Sequence, residues 1–157
     1  MTERKFMTNS SIEDLILFIE NEMIVNPKYF LFRENEPIVN ESDIIQIKEE
    51  VGFEIPKDFQ IFQEKFGGGN FGFLELFSLN KNSEYFIFKN SYGIRPKDNF
   101  LPISSDGVGG YYGFLLNDCH HIYYYDTNIS PPIIEKTQWN FVDFIYFFAF
   151  KKTQLAK

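Results

Sequence analysis

The sequence predicts an α+β fold, with a mixed or largely antiparallel sheet flanked by N-terminal helices and a C-terminal helix. Three observations carry this. Apolar residues recur at helical spacing in the first third of the chain and again near its end. Between these regions, short alternating runs are punctuated by Gly, Pro and Asn-Asp, the pattern of strands and turns. Helices, then strands, then a helix is the order of segregated α+β architecture rather than of alternating α/β. At 157 residues one domain is expected, burying roughly 70% of its unfolded surface. Its core is predicted over residues 11–150, with tails at 1–9 and 151–157.

Ser10-Ser11-Ile12-Glu13 has the form of a capping box. Ile12, Leu15, Ile16, Ile19 and Met23 follow on one face, so a helix is predicted from about Ser11 to Glu22. A short extended piece is expected at Tyr29–Phe32. Asn40 and Asp43 open a second helix whose inward face is Ile44, Ile47 and Val51, and Gly52 closes it. Phe53 is expected to pack back on the last turn and fix a tight corner at Ile55-Pro56. Pro56 suits the start of a third helix. This helix puts Phe59, Phe62 and Phe66 on one face and ends at Gly67. Gly68 and Gly69 are expected to extend a flexible turn into a strand at Phe73–Leu79.

Tyr85–Phe88 reads as a strand by composition, with a short helix as the alternative, and residues 94–99 read as a loop. Phe100–Ile103 reads as a strand, Ser104–Gly110 as a turn with Asp106 bonding its own backbone. Gly110–Leu116 and His121–Asp126 are expected to pair as a hairpin around Asn117-Asp118. Thr127–Pro132 is a loop. Thr137 or Asn140 caps a final helix carrying Trp139, Phe141, Phe144, Ile145, Phe148 and Phe150.

The chain holds 20 Phe and 9 Tyr. Most of the Phe are expected in the core, leaving some Tyr for the surface. Net charge is −7, and it is localised: Glu34 to Glu64 contains nine acids against Lys48 and Lys57, while the remainder is balanced. An acidic stretch disfavours direct binding of nucleic acid, which depends on basic neutralisation of phosphates. It suits either a basic protein partner or a merely solvated helix face.

One cysteine excludes an intrachain disulfide. Together with an N-terminus lacking an apolar leader and no apolar run of membrane-spanning length, it predicts a cytoplasmic protein. Cys119-His120-His121 is the cluster closest to chemistry, but a metal needs three or four ligands and a thiol nucleophile needs an oriented base. A polar turn at a strand start is the better account. The glycines of Ser104–Gly110 are followed by no helix and no lysine of the phosphate-loop type. No enzyme, metal or cofactor is predicted.

Two segments together resemble the SMI1/KNR4 family, also called the SUKH superfamily. The first is the acidic helix with Gly52, the Ile55-Pro56 corner, the Phe59/Phe62 helix and Gly67-Gly68-Gly69. The second is Phe100-Leu101-Pro102-Ile103, Asp106-Gly107, Gly109 and Tyr112. The closing Phe141/Phe144 helix is also similar, so the resemblance spans about residues 41–148. Ile55 stands where the family usually has Leu, and residues 80–99 match nothing in it. The resemblance implies a helix-flanked sheet without catalytic residues, in which Pro56, Gly67, Gly69, Asp106 and Gly109 keep the fold. Many bacterial members look like immunity proteins that bind and block a cognate polymorphic toxin, often a nuclease. Others act as regulatory or scaffolding modules. The expected partner is therefore a basic toxin domain, with an endogenous scaffold partner as the alternative. The expected contacts are Glu49, Glu50, Glu54, Asp58 and Glu64, supported by Asn70, Asp106, Tyr111 and Tyr112.

Overall fold

A computed structural model describes residues 11–91 and 99–152. The tail at 1–9, Ser10 and most of the predicted loop at 94–99 lie outside them. The helices are α1 (Ile12–Val25), α2 (Glu41–Val51), α3 (Lys57–Phe66), the single turn α4 (Ile87–Asn90) and α5 (Phe141–Phe150). The strands are β1 (Gly69–Phe71), β2 (Leu74–Leu76), β3 (Phe100–Ser105), β4 (Gly110–Leu115), β5 (Asp118–Asp126) and β6 (Ile133–Lys136). They form one sheet in chain order, and all five ladders are antiparallel.

Local chemistry sets the helix ends. The Ser11 side chain accepts from the Asp14 amide, one residue later than the predicted cap, and α1 runs on to Val25. Asn40 and Asp43 form a reciprocal capping box on α2. Gly52 ends that helix at φ +83°, a conformation that costs glycine little. Asn140 caps α5, which leaves Trp139 just before the helix rather than on it.

Helices α1, α3 and α5 cover one face of the sheet. There Phe59, Phe62, Phe71, Phe114 and Phe141 pack in tilted and edge-on pairs at 5.1–6.2 Å, the arrangement ring quadrupoles favour. Phe18 of α1 meets Tyr146 of α5 at 5.2 Å. On the other face Phe77 and Tyr111, and Phe100 and Tyr125, pair near α4. A buried amide joins α3 to the sheet. Gln63, fully buried, donates to the carbonyls of Phe77 (3.0 Å) and Gly67 (3.3 Å) and accepts from the Leu79 amide (3.0 Å).

Four sequence expectations are corrected. The glycine run is not a flexible turn leading to one long strand. Gly69 begins β1, and Gly72, at φ +60°, makes a two-residue turn to the short β2. Gly68 lies so close to the neighbouring backbone that a Cβ would sit 2.7 Å from the Leu76 oxygen. Tyr29–Phe32 is not extended, because Pro27–Phe30 forms a 3-10 turn, which proline's fixed φ favours. β5 starts at Asp118, since Asn117 takes the positive φ (+76°) that turns the hairpin. Strand β6 was not foreseen: its four residues are all exposed at the sheet edge, so no alternation marks them. At Tyr85–Phe88, the short-helix alternative holds, as α4.

Candidate partner-binding surface

The corner between α2 and α3 faces the β4–β5 hairpin across an open groove of about 780 Å³. The Gly52 reversal swings the chain back, half-buries Phe53 and buries Ile55 and Pro56. Glu49 and Glu54 line one wall with Lys48. Leu115, Leu116, Asn117, Asp118, Cys119 and His120 line the other. Lys48 Nζ sits 3.2 Å from Glu54 Oε2, a solvent-exposed pair that contributes roughly 0–1 kcal/mol.

A smaller hollow of about 270 Å³ adjoins the groove through Pro56, Cys119 and His120, and brings in Asp58. Partial burial, and then the negative charge of Glu13, pushes the Asp58 carboxyl above the usual carboxylate range. Across the groove Asp118 organises its own turn. It accepts from the His120 amide (3.0 Å) and the Tyr123 hydroxyl (2.7 Å), with His121 Nδ1 3.3 Å away. Burial opposes its ionisation, but these bonds and His121 outweigh it and hold its pKa below the ordinary value. Cys119 and His120 stay exposed. Among the described residues no group of three or more His, Cys, Asp or Glu is placed to hold a metal ion.

The other expected contacts do not converge here. Glu50 lies in a separate hollow with Ile47, Leu79 and Phe86. Glu64 is exposed on α3, within 3.4 Å of the Gln60 amide. Asn70, on β1, accepts from the Tyr85 hydroxyl at 3.1 Å. Asp106 accepts from the amides of Val108 and Gly110 and from the Tyr124 hydroxyl, which makes it the clasp of the β3–β4 turn. The tyrosine pair is placed differently from an exposed anchor. Tyr111 is 6% exposed, and Tyr112 is half-buried among Tyr124, Phe144 and Phe148 at 5.0–5.2 Å. Alternation set their faces correctly, but helices cover one face and the Phe77 region the other.

Sequence reasoning missed the hairpin wall, Leu115 to His120, because nothing local marks which loop will oppose a helix corner. It also missed Lys48, whose pairing with Glu54 spans the Gly52 reversal.

The helix-backed antiparallel meander is an α+β fold with open grooves at its rim. The family model described as SMI1-KNR4 cell-wall (SUKH_6) matches residues 41–145, about two-thirds of the chain. The chain belongs to the SMI1/KNR4 (SUKH) superfamily. No curated protein and no solved structure matches it. The matched region opens at the first residue of α2 and closes within α5, so it contains the whole sheet and the corner groove, while α1 lies outside it. Among the described residues no helix is long and apolar enough to cross a membrane.

Proposed function

We propose that this chain is a cytoplasmic, non-catalytic immunity protein that neutralises a cognate toxin domain by stoichiometric occlusion. The observation that carries the reading is the acidic display of α2, α3 and their corner. Glu49, Glu50, Glu54 and Glu64 are all exposed, and the stretch from Glu34 to Glu64 holds the chain's entire net charge of −7. A nuclease must present a basic substrate site, and carboxylates can occupy it in place of phosphates. Tyr111 is not among the contacts, because it is buried.

The test is co-expression with a toxin domain encoded beside the gene, read by host growth and by a one-to-one complex on gel filtration. The native chain is expected to restore growth. The triple reversal Glu49→Lys, Glu50→Lys, Glu54→Lys is expected to weaken the complex on the order of 100-fold, at roughly 1 kcal/mol for each exposed charge pair. Unchanged affinity in that variant would remove the acidic face from the account. A stable complex with an endogenous protein and no growth rescue would favour the scaffold reading.

A further inference from the structure

Apart from the corner groove, and sharing no residue with it, a second open groove of about 660 Å³ lies at the outer edge of β1. The loop from Leu31 to Pro37 forms one wall, Asn82 to Tyr85 the other, and Asn70 reaches in from β1. Among the described residues its lining contains Glu34, Glu36 and Glu84 and no Lys, Arg or His. The corner groove, by contrast, already carries Lys48 against Glu54.

Its parts are held in place. Glu36 Oε2 accepts from the Ser83 hydroxyl (2.7 Å) and the Gly68 amide (3.3 Å), which leaves Oε1 without a hydrogen bond among the described residues. Glu75 stands opposite Asn70 in the β1–β2 ladder. Burial first, then the charges of Glu75, Glu36 and Glu84, raises the pKa of the Tyr85 hydroxyl, so all three carboxylates act on one spot. Arg33, the neighbouring cation, is held by the backbone: it donates to the carbonyls of Phe66 and Gly68 and stacks over Phe71 at 4.3 Å. Its charge reaches Glu36 and Tyr85, and Lys89 donates to the Ser83 carbonyl, so Glu34 and Glu84 are the groove carboxylates that no cation is paired with among the described residues. At the rim, Leu31 and Phe32 are 64% and 75% exposed.

We propose that this groove docks a lysine- or arginine-bearing segment of the partner protein, with the cationic head among Glu34, Glu36 and Glu84 and the aliphatic stem along Phe32. Long cationic side chains pair an apolar stem with a charged tip. An exposed aromatic face attracts the cation further, and a carboxylate accepts a guanidinium fork bidentately. Among the described residues no group of three or more carboxylates is placed to hold a metal ion. The inference rests on the protein-binding reading above and adds to it a second contact region and the residue type it receives.

The test titrates the full-length isotope-labelled chain with acetyl-Leu-Lys-Arg-Leu-amide at low and moderate salt, with acetyl-Leu-Glu-Glu-Leu-amide as control. Saturable shifts at the amides of Asn70, Ser83 and Tyr85 are expected with the basic peptide alone. The double variant Glu34→Gln, Glu84→Gln removes two charges whose side chains make no hydrogen bond among the described residues. It is expected to weaken binding about tenfold, and Phe32→Ala several-fold. Shifts that centre on Glu49 and Glu54, or that survive the double variant unchanged, would overturn the proposal. Peptide binding here without any toxin partner would sink the immunity reading alone. Toxin neutralisation without peptide binding would sink this groove alone.

Discussion

Replacing Gln63 with Met tests how α3 is tied to the sheet. The change keeps side-chain length and removes every polar atom. It strips the Leu79 amide of its acceptor and the Phe77 and Gly67 carbonyls of a donor, in a place with no measurable exposure. A buried donor or acceptor left unmatched costs about 1–3 kcal/mol. The Leu79 amide and the Phe77 carbonyl carry most of this, because the Gly67 contact is longer. The expected loss is about 3 kcal/mol, a large share of the roughly 5–15 kcal/mol that holds a domain folded. With a urea slope of about 2 kcal/mol per molar, the midpoint should fall by about 1.5 M. Gln60→Met is the internal control on the same helix: among the described residues its amide reaches only Glu64, at 3.4 Å on the surface, and it should move the midpoint by less than about 0.3 M. Equal shifts in the two variants would refute the argument that the buried amide, rather than helix propensity, joins these elements.

Two further perturbations test other parts of the fold and surface. Gly72→Ala places a Cβ against the Ala149 carbonyl at a φ of +60°, so it should cost roughly 3 kcal/mol or more, seen as a lowered Tm. Asp58→Asn should raise stability at pH 7. The folded pKa of Asp58 is raised, so the native state binds a proton where the unfolded chain does not. The resulting deficit is fully present above the raised pKa and is gone below the ordinary value of about 3.9. Thermal melts of parent and variant should therefore converge as pH falls through that window, and a constant offset would count against the assignment.

The features legible in the sequence were those whose chemistry is local. Asn40 with Asp43, Gly52 and Asn140 mark helix ends because the capping groups lie within a few residues of what they cap. The Phe59/Phe62/Phe66 face was legible because a buried stripe repeats at the helical period. β6 was not, because the four exposed residues Ile133-Ile134-Glu135-Lys136 show no alternation and are too few to mark a strand. Gln63 looks like one more polar helix residue until the Phe77–Leu79 segment is brought against it. The surface followed the same division. The acidic stretch was legible as a run of charge, but the corner turns Glu49 and Glu54 into one groove and leaves Glu50 and Glu64 outside it. Glu84 joins Glu34 and Glu36 only through a loop remote in sequence.

The sheet is ordered as its strands are ordered in the chain, and this has a kinetic consequence. Four of its ladders, β1–β2 and the three from β3 to β6, close only short loops, so each can form before distant parts of the chain have met. The slow search falls elsewhere, in joining β2 to β3 and in bringing α1 against α5 from opposite ends of the chain. Ribosomal synthesis supplies α5 after every strand of the sheet. A nascent chain would thus carry its meander with the aromatic face covered only by α1 and α3 until the Phe141–Phe150 helix emerges, and that helix completes the cover over Phe59, Phe62 and Phe114.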